Sequence, residues 1–247
     1  MNAPPNSPAE RVAIVTGASS GLGLACARRF AADGLAVALV ARDTDRLAPL
    51  VAELGARTVP VAADLRTREG CKAVVDAAVG AFGRLDVLVN SAGVYPRRPV
   101  LDIGADDWHH VLDTNVLGTY FMMIESIPHM RAAGGGRIVN VTSIDGFKAH
   151  PANAHYAASK AAVISLTRSL ALEVAPDGIL VNSVAPGPMA SETAKRTDWY
   201  APMVAALPTR QPIEPDEVAN LVAFLAAPSN VSIAGENIVV SGAGVIV

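Results

Sequence analysis

Short runs rich in valine, leucine, isoleucine and alanine recur along the chain, and each is followed by a longer stretch whose apolar residues return at helical spacing. The run 11–17, RVAIVTG, carries no polar alternation through its centre, as expected of a parallel strand buried on both faces. The stretch 24–34, LACARRFAADG, is amphipathic, and Gly34 closes it as a helix C-terminus. The cycle repeats with AVALVA at 36–41, VPVAADL at 59–65, LDVLVNSAG at 85–93, RIVNVTS at 137–143, ILVNSVAPG at 179–187 and NIVVSG at 237–242. Seven strands with helices between them predict an α/β fold, a doubly wound parallel sheet with helices on both faces. Ligands in such folds bind at the carboxyl ends of the strands, so the residues that follow each run are where chemistry is expected.

One segment breaks the rhythm. Residues 186–212, PGPMASETAKRTDWYAPMVAALPTRQP, form a proline-studded connection longer than an ordinary crossover, which reads as a lid or binding loop.

Composition narrows the class. A chain of 247 residues that is 51% hydrophobic and 17% charged fits one globular domain, here placed over 11–247. A net charge of −3 gives no long-range attraction to nucleic acid or anionic lipid, so neither is an expected partner. The first ten residues, MNAPPNSPAE, lack a basic start and apolar core; they read as a disordered tip, and the protein as soluble and cytoplasmic. Cys26 and Cys71 are far apart in predicted helices, and the scattered histidines, including His109 and His110, match no ligand spacing, so no metal is expected.

Directly after the first strand, TGASSGLG places Gly17, Ser19, Ser20, Gly21, Leu22 and Gly23 at the start of the first helix. Glycine there admits backbone shapes closed to other residues and lets N–H groups approach a pyrophosphate at the positive helix end. A tight turn without ligand is the competing reading of that motif alone. At the end of the second strand, ALVARD sets Ala41 where an acid would hold a ribose diol, with Arg42 next. A guanidinium suits a 2′-phosphate, which favours NADP(H), with NAD(H) as the alternative; a register two residues on would bring Asp43 to the ribose instead.

Taken in order, TGASSGLG, AADL with Asp64, NSAG with Asn90, DTNVLGT with Asn115, NVTS with Ser143, Tyr156-x-x-x-Lys160 and Pro186-Gly187 resemble the short-chain dehydrogenase/reductase family from Val12 to about Gly244. The resemblance implies a Rossmann fold in which Asp64 and Leu65 contact adenine and the Asn90, Ala92 and Gly93 segment steadies the sheet beside the cofactor. It places Pro186 and Gly187 by the nicotinamide, and makes Asn115, Ser143, Tyr156 and Lys160 the catalytic group. Lys160 would also bind the nicotinamide ribose, and Asn115 would hold a water leading from it to solvent. Hydride transfer from the pro-S face and a homotetramer are further implications. The family pattern usually has an acid before paired glycines at the last strand, where this chain has Ser241, a change that bears on subunit contacts.

The chemistry of the four residues can be argued on its own. Reduction of a ketone by hydride places negative charge on oxygen, so hydroxyl donors and one proton are needed, which Ser143 and Tyr156 carry. A phenol titrates near 10, and work near neutrality requires a shift of about three units, or about 4 kcal/mol. Lys160, one helical turn on, is expected to supply it as a positive charge. His150 and His155 are the residue type most often used as acid or base. His155, however, is offset by about 100° from Tyr156 on a helix, and both histidines read as loop or rim residues.

The expected reaction is NADPH-dependent reduction of a ketone or aldehyde. Ser143, Phe147, Tyr156 and Trp199 are the expected substrate contacts, with the VYPRR loop of Arg97 and Arg98 nearby. The pattern is similar to 3-oxoacyl carrier-protein reductases. These tend to be basic where this chain has Glu173 and Asp177, which favours a free small molecule. An NAD-dependent secondary-alcohol dehydrogenase and a non-catalytic NADP(H)-binding scaffold protein are the competing readings.

Overall fold

In a computed structural model, residues 11–148 and 150–246 are described; the tip 1–10 expected to be disordered, Ala149 and Val247 lie outside them. Seven strands form one parallel sheet: β1 Val12–Thr16, β2 Ala36–Ala41, β3 Thr58–Ala62, β4 Val87–Asn90, β5 Gly136–Val141, β6 Ile179–Pro186 and β7 Asn237–Val240. The helices are α1 Gly21–Ala32, α2 Ala48–Leu54, α3 Arg68–Phe82, α4 Ala105–Leu112, α5 Gly118–Ala132, α6 Ala154–Val174, α7 Glu192–Lys195, α8 Tyr200–Ala205 and α9 Pro215–Ala226.

The strand order is β3-β2-β1-β4-β5-β6-β7. After β3 the chain returns to the opposite side of β1, which opens a crevice at the carboxyl ends of β1 and β4. The period-two geometry of a strand explains why β1 is apolar throughout. Ala13 and Val15 pack into a core with α1 and α9, whereas Ile14 points into a second core with α3, α5 and α6. Cys26 and Cys71 are free and buried, one in each core.

Local signals set the helix ends. Thr67 caps α3 by accepting the N–H of Gly70, and Gly83 ends that helix with φ +80°. α9 begins with Pro215 and a capping box between Glu214 and Glu217. In α6 the buried residues His155, Ser159, Val163, Thr167 and Ala171 recur every fourth position and form its inner ridge. No helix among the described residues is long and apolar enough to cross a membrane.

Candidate active site

The turn after β1 is built around close backbone approach. Gly17 holds φ +69°, and a Cβ on Gly23 would sit 2.3 Å from the Gly17 carbonyl oxygen, so only glycine fits at the second position. Ser20 is the extended N-cap of α1 and makes no side-chain capping bond, which leaves the first-turn N–H groups at Gly21, Leu22 and Gly23 facing outward. The N–H of Ala18 bonds the Val40 carbonyl at 3.0 Å and fixes the turn to β2. Ser19 is half-buried and Ser20 exposed beside this cradle. It has the geometry and dipole to take an anionic pyrophosphate.

Beyond Ala41, Arg42 is exposed and makes no ion pair among the described residues. Asp43 is turned into its own loop, where its Oδ1 accepts the N–H of Asp45 at 2.9 Å. Asp64 is clasped by Arg66, whose Nη2 lies 2.6 Å from Oδ2, and this bond holds the Asp64 carboxyl well below its ordinary range, at about 2. Leu65 beside it is half-buried.

Polar side chains tie the strand ends together. The hydroxyl of Thr16 accepts the N–H groups of Ser91 and Ala92, both at 3.0 Å, and Asn90 Nδ2 donates to Asn140 Oδ1 at 2.9 Å. Gly93 follows, and a Cβ there would lie 3.2 Å from Asn115 Oδ1 and 3.6 Å from Lys160 Nζ. Asn115 and Lys160 therefore bound the same small space.

Asn115 sits in a π-helical turn, Asp113–Leu117, between α4 and α5. Its Nδ2 donates to the Val94 carbonyl at 2.9 Å and to Ser159 Oγ at 3.0 Å, while its Oδ1 accepts the Val94 N–H at 2.8 Å. This side chain is fully occupied in holding the loop after β4 against α6. Ser143 follows β5 and caps a short 3₁₀ turn, Ile144–Gly146, by accepting the Asp145 N–H at 3.1 Å. The Ser143 hydroxyl lies close enough to the Tyr156 phenol to favour its ionised form, and both side chains line one cleft. Lys160 Nζ lies 5.7 Å from the centre of the Tyr156 ring and donates to the Val141 carbonyl at 2.8 Å.

The electrostatics depart from the sequence expectation. Burial pushes the Tyr156 phenol up, the nearby Ser143 hydroxyl opposes that, and the carboxylate of Asp145 adds to the rise. Burial also lowers the Lys160 ammonium to about 8. Desolvation outweighs the pairing: the lysine hydrogen is given to a carbonyl, not to the phenol oxygen. In the protein alone the tyrosine is therefore not activated by its lysine.

A cleft opens over Ser143 and Tyr156. Ile144, Tyr95, Met189 and Met203 give it apolar walls, and Pro186 and Gly187 flank it at the end of β6. The segment 186–212 supplies much of one wall through α7 and α8, and its Trp199 faces the cleft as expected. A bridge between Met189 and Ile213 ties its two ends together. Phe147, expected to touch substrate, is exposed and does not line the cleft, because the 3₁₀ turn directs Ile144 and Asp145 inward in its place. Sequence reasoning does not single out Asp145 or Asn153, while Tyr95 and Met203 fall in the VYPRR loop and the 186–212 segment that it marks. Asp145 has a usable signal, since it stands two residues after Ser143.

The histidines divide. His150 lies in the loop before α6 with its Nδ1 2.6 Å from Asp145 Oδ1. His155 is no rim residue: it is completely buried and packs edge-on against Trp108, ring centres 6.1 Å apart, with neither ring nitrogen hydrogen-bonded. The 100° offset that turns it from Tyr156 turns it onto the inner ridge of α6.

Comparison with known proteins agrees with this geometry. The family model described as short chain dehydrogenase matches residues 11–200, and the chain belongs to that family, among its ketoreductase-like members. The chain is 39% identical over 241 residues to cis-4-hydroxycyclohexanecarboxylate dehydrogenase of Sinomonas cyclohexanicum, covering 95% of this chain and 96% of that protein. Among solved structures, 3-ketoacyl-(acyl-carrier-protein) reductase from Brucella melitensis complexed with NADH superposes with a TM-score of 0.88 at 31% identity, covering 94% of this chain and 97% of the other. ElxO with NADP bound gives the same TM-score of 0.88 at 29% identity, with coverages of 94% and 97%. The protein is an oxidoreductase of the class that interconverts alcohols and carbonyls.

Proposed function

We propose that this protein is an NADP(H)-dependent ketoreductase that uses Tyr156 as its general acid. The observation that carries the reading is that Ser143 and Tyr156 line one cleft together, with Lys160 Nζ 5.7 Å from the Tyr156 ring centre. A dihydronicotinamide, when bound, supplies the hydride that reduces the carbonyl carbon. Tyr156 then delivers its hydroxyl proton to the carbonyl oxygen, and the Ser143 hydroxyl donates a hydrogen bond to the same atom. Lys160 keeps a positive charge beside the phenolate that is left, and Asn115 holds the loop at Val94 so that the lysine keeps its place.

The glycine turn would hold the pyrophosphate, Asp64 and Leu65 would border the adenine, and the Asn90 to Gly93 segment with Pro186 and Gly187 would border the nicotinamide. An exposed Arg42 with no ion pair among the described residues, beside a self-bonded Asp43, supports a 2′-phosphate ligand over a diol. The relatives' names cover a cyclic hydroxy acid and a carrier-bound 3-ketoacyl group; Glu173 and Asp177, where carrier-protein reductases tend to be basic, favour a free small carbonyl compound. Residues 186–212 are read as its cover.

A cytoplasmic homotetramer is the assembly we favour. The resemblance supports it, as does Leu172, which is 84% exposed on α6.

The test is a screen of ketones and aldehydes in which NADPH and NADH oxidation are followed in parallel, with Tyr156→Phe as control. Carbonyl reduction that survives in folded Tyr156→Phe would sink the mechanism.

A further inference from the structure

We propose that Arg97 forms an anion-binding subsite at the outer end of the cleft, and that the substrate is an oxo acid whose carboxylate lies across an apolar body from the reacting carbonyl. The inference rests on the ketoreductase reading and adds the substrate class to it.

The two arginines of the loop after β4 behave differently. Arg98 is neutralised by Asp107 at 3.1 Å. Arg97 has no carboxylate partner among the described residues; it stacks over Trp199 with 5.3 Å from Cζ to the ring centre and donates from Nη2 to the Pro151 carbonyl at 3.3 Å. Both Arg97 and Trp199 line the cleft that contains Ser143 and Tyr156. Contact with the indole and the Pro151 bond restrain the guanidinium, and its other N–H groups make no hydrogen bond among the described residues. Those groups match the two oxygens of a carboxylate.

The cleft also carries a negative charge. Asp145 lines it next to Ser143, and its carboxylate accepts from Asn153 Nδ2 at 2.5 Å and contacts His150 Nδ1 at 2.6 Å. A substrate carboxylate adjacent to the reacting carbonyl would meet this charge. A carboxylate farther from the carbonyl would be free to meet Arg97, and Ile144, Met189, Met203 and Tyr95 in the same lining suit an apolar carbon skeleton. The exposed position of Arg97 and the buried position of Ser143 set which end is outer and which inner.

The experiment measures kcat/KM for 4-oxocyclohexanecarboxylate and for its methyl ester in wild type, Arg97→Met and Arg97→Lys. Calorimetry of cyclohexanecarboxylate binding to the same proteins gives a second readout that needs no turnover. Wild type should prefer the acid over the ester at least fivefold. Arg97→Met should lower that ratio at least fivefold through KM, Arg97→Lys should restore part of it, and cyclohexanecarboxylate affinity should follow the same order. An acid-to-ester ratio near one in wild type, or a ratio and affinity that Arg97→Met leaves unchanged, overturns the subsite. Carboxylate binding that depends on Arg97 without reduction of either ketone keeps the subsite and overturns the reductase reading.

Discussion

The ammonium of Lys160 donates its hydrogen bond to the carbonyl of Val141, the last residue of β5, and faces the Tyr156 ring from 5.7 Å without a hydrogen bond to its oxygen. A buried cation held by one neutral carbonyl is costly in the folded state, because burial removes its water and a single acceptor replaces little of it.

Replacing Lys160 with Met should therefore stabilise the protein without cofactor while removing activity. The shift from 10.5 to about 8 corresponds to up to about 3 kcal/mol at pH 7. The sign follows from the depressed value. The wild-type penalty is complete below pH 8 and is relieved as pH rises toward 10.5, so the gap between the two proteins should narrow over that range. Urea midpoints at pH 7 and pH 9.5 check this, and a less stable Lys160→Met at pH 7 would refute it.

Asp145 raises the Tyr156 phenol through its negative charge. Reduction needs the phenol protonated, so the alkaline limb of kcat/KM should move to lower pH in Asp145→Asn. A pH profile of ketone reduction between 6 and 10 measures the displacement. An unmoved limb would mean that Asp145 does not act on the tyrosine.

Arg42→Asp removes the exposed cation at the end of β2 and places an acid there. The NADPH-to-NADH ratio of kcat/KM should fall by about tenfold or more, the loss expected for one charge-assisted contact of about 1.5 kcal/mol. The ratio is read directly with one ketone and both cofactors.

Gly23→Ala forces a Cβ to within 2.3 Å of the Gly17 carbonyl. The turn must open, which should cost about 1–3 kcal/mol in stability and weaken cofactor binding by more than tenfold. Thermal unfolding and a fluorescence titration with NADPH separate the two losses.

His155 is buried and uncharged, and burial lowers its titration below 6.5. Its contribution to stability is complete above pH 6.5 and lost as pH falls through the lower, folded value. His155→Phe should remove this acid-dependent loss, so melting temperatures of variant and wild type should diverge between pH 8 and pH 5, with the variant higher at pH 5. Parallel curves would show that the ring is not buried neutral.

The fold was legible because each strand is a short apolar run ending in chemistry-bearing residues. AVALVA coincides with β2 residue for residue, and the place of Gly17 and Gly23 after β1 follows from the glycines alone. Tyr156 and Lys160 were legible as a pair because four-residue spacing on a helix is itself a contact. Their electrostatics were not, since burial of Lys160 and its bond to Val141 depend on β5 packing beneath α6. His155 was misplaced for a related reason: which face of α6 is inward is decided by α4 and Trp108, far away in sequence. Arg97 and Asp145 meet in one cleft only through the turn after β5 and the loop after β4, a juxtaposition that no local pattern encodes.

The bridge from Met189 to Ile213 joins the two ends of the segment that walls the cleft. A loop fastened at its base can lengthen, shorten or change its side chains with little effect on the sheet beneath, since doubling such a loop costs only about 0.6 kcal/mol in closure entropy. The proton donor and the glycine turn lie outside that fastening. Substrate choice in this chain is thus physically separable from its chemistry, and exchanging the tied segment is a route to new selectivity that leaves the reaction itself in place.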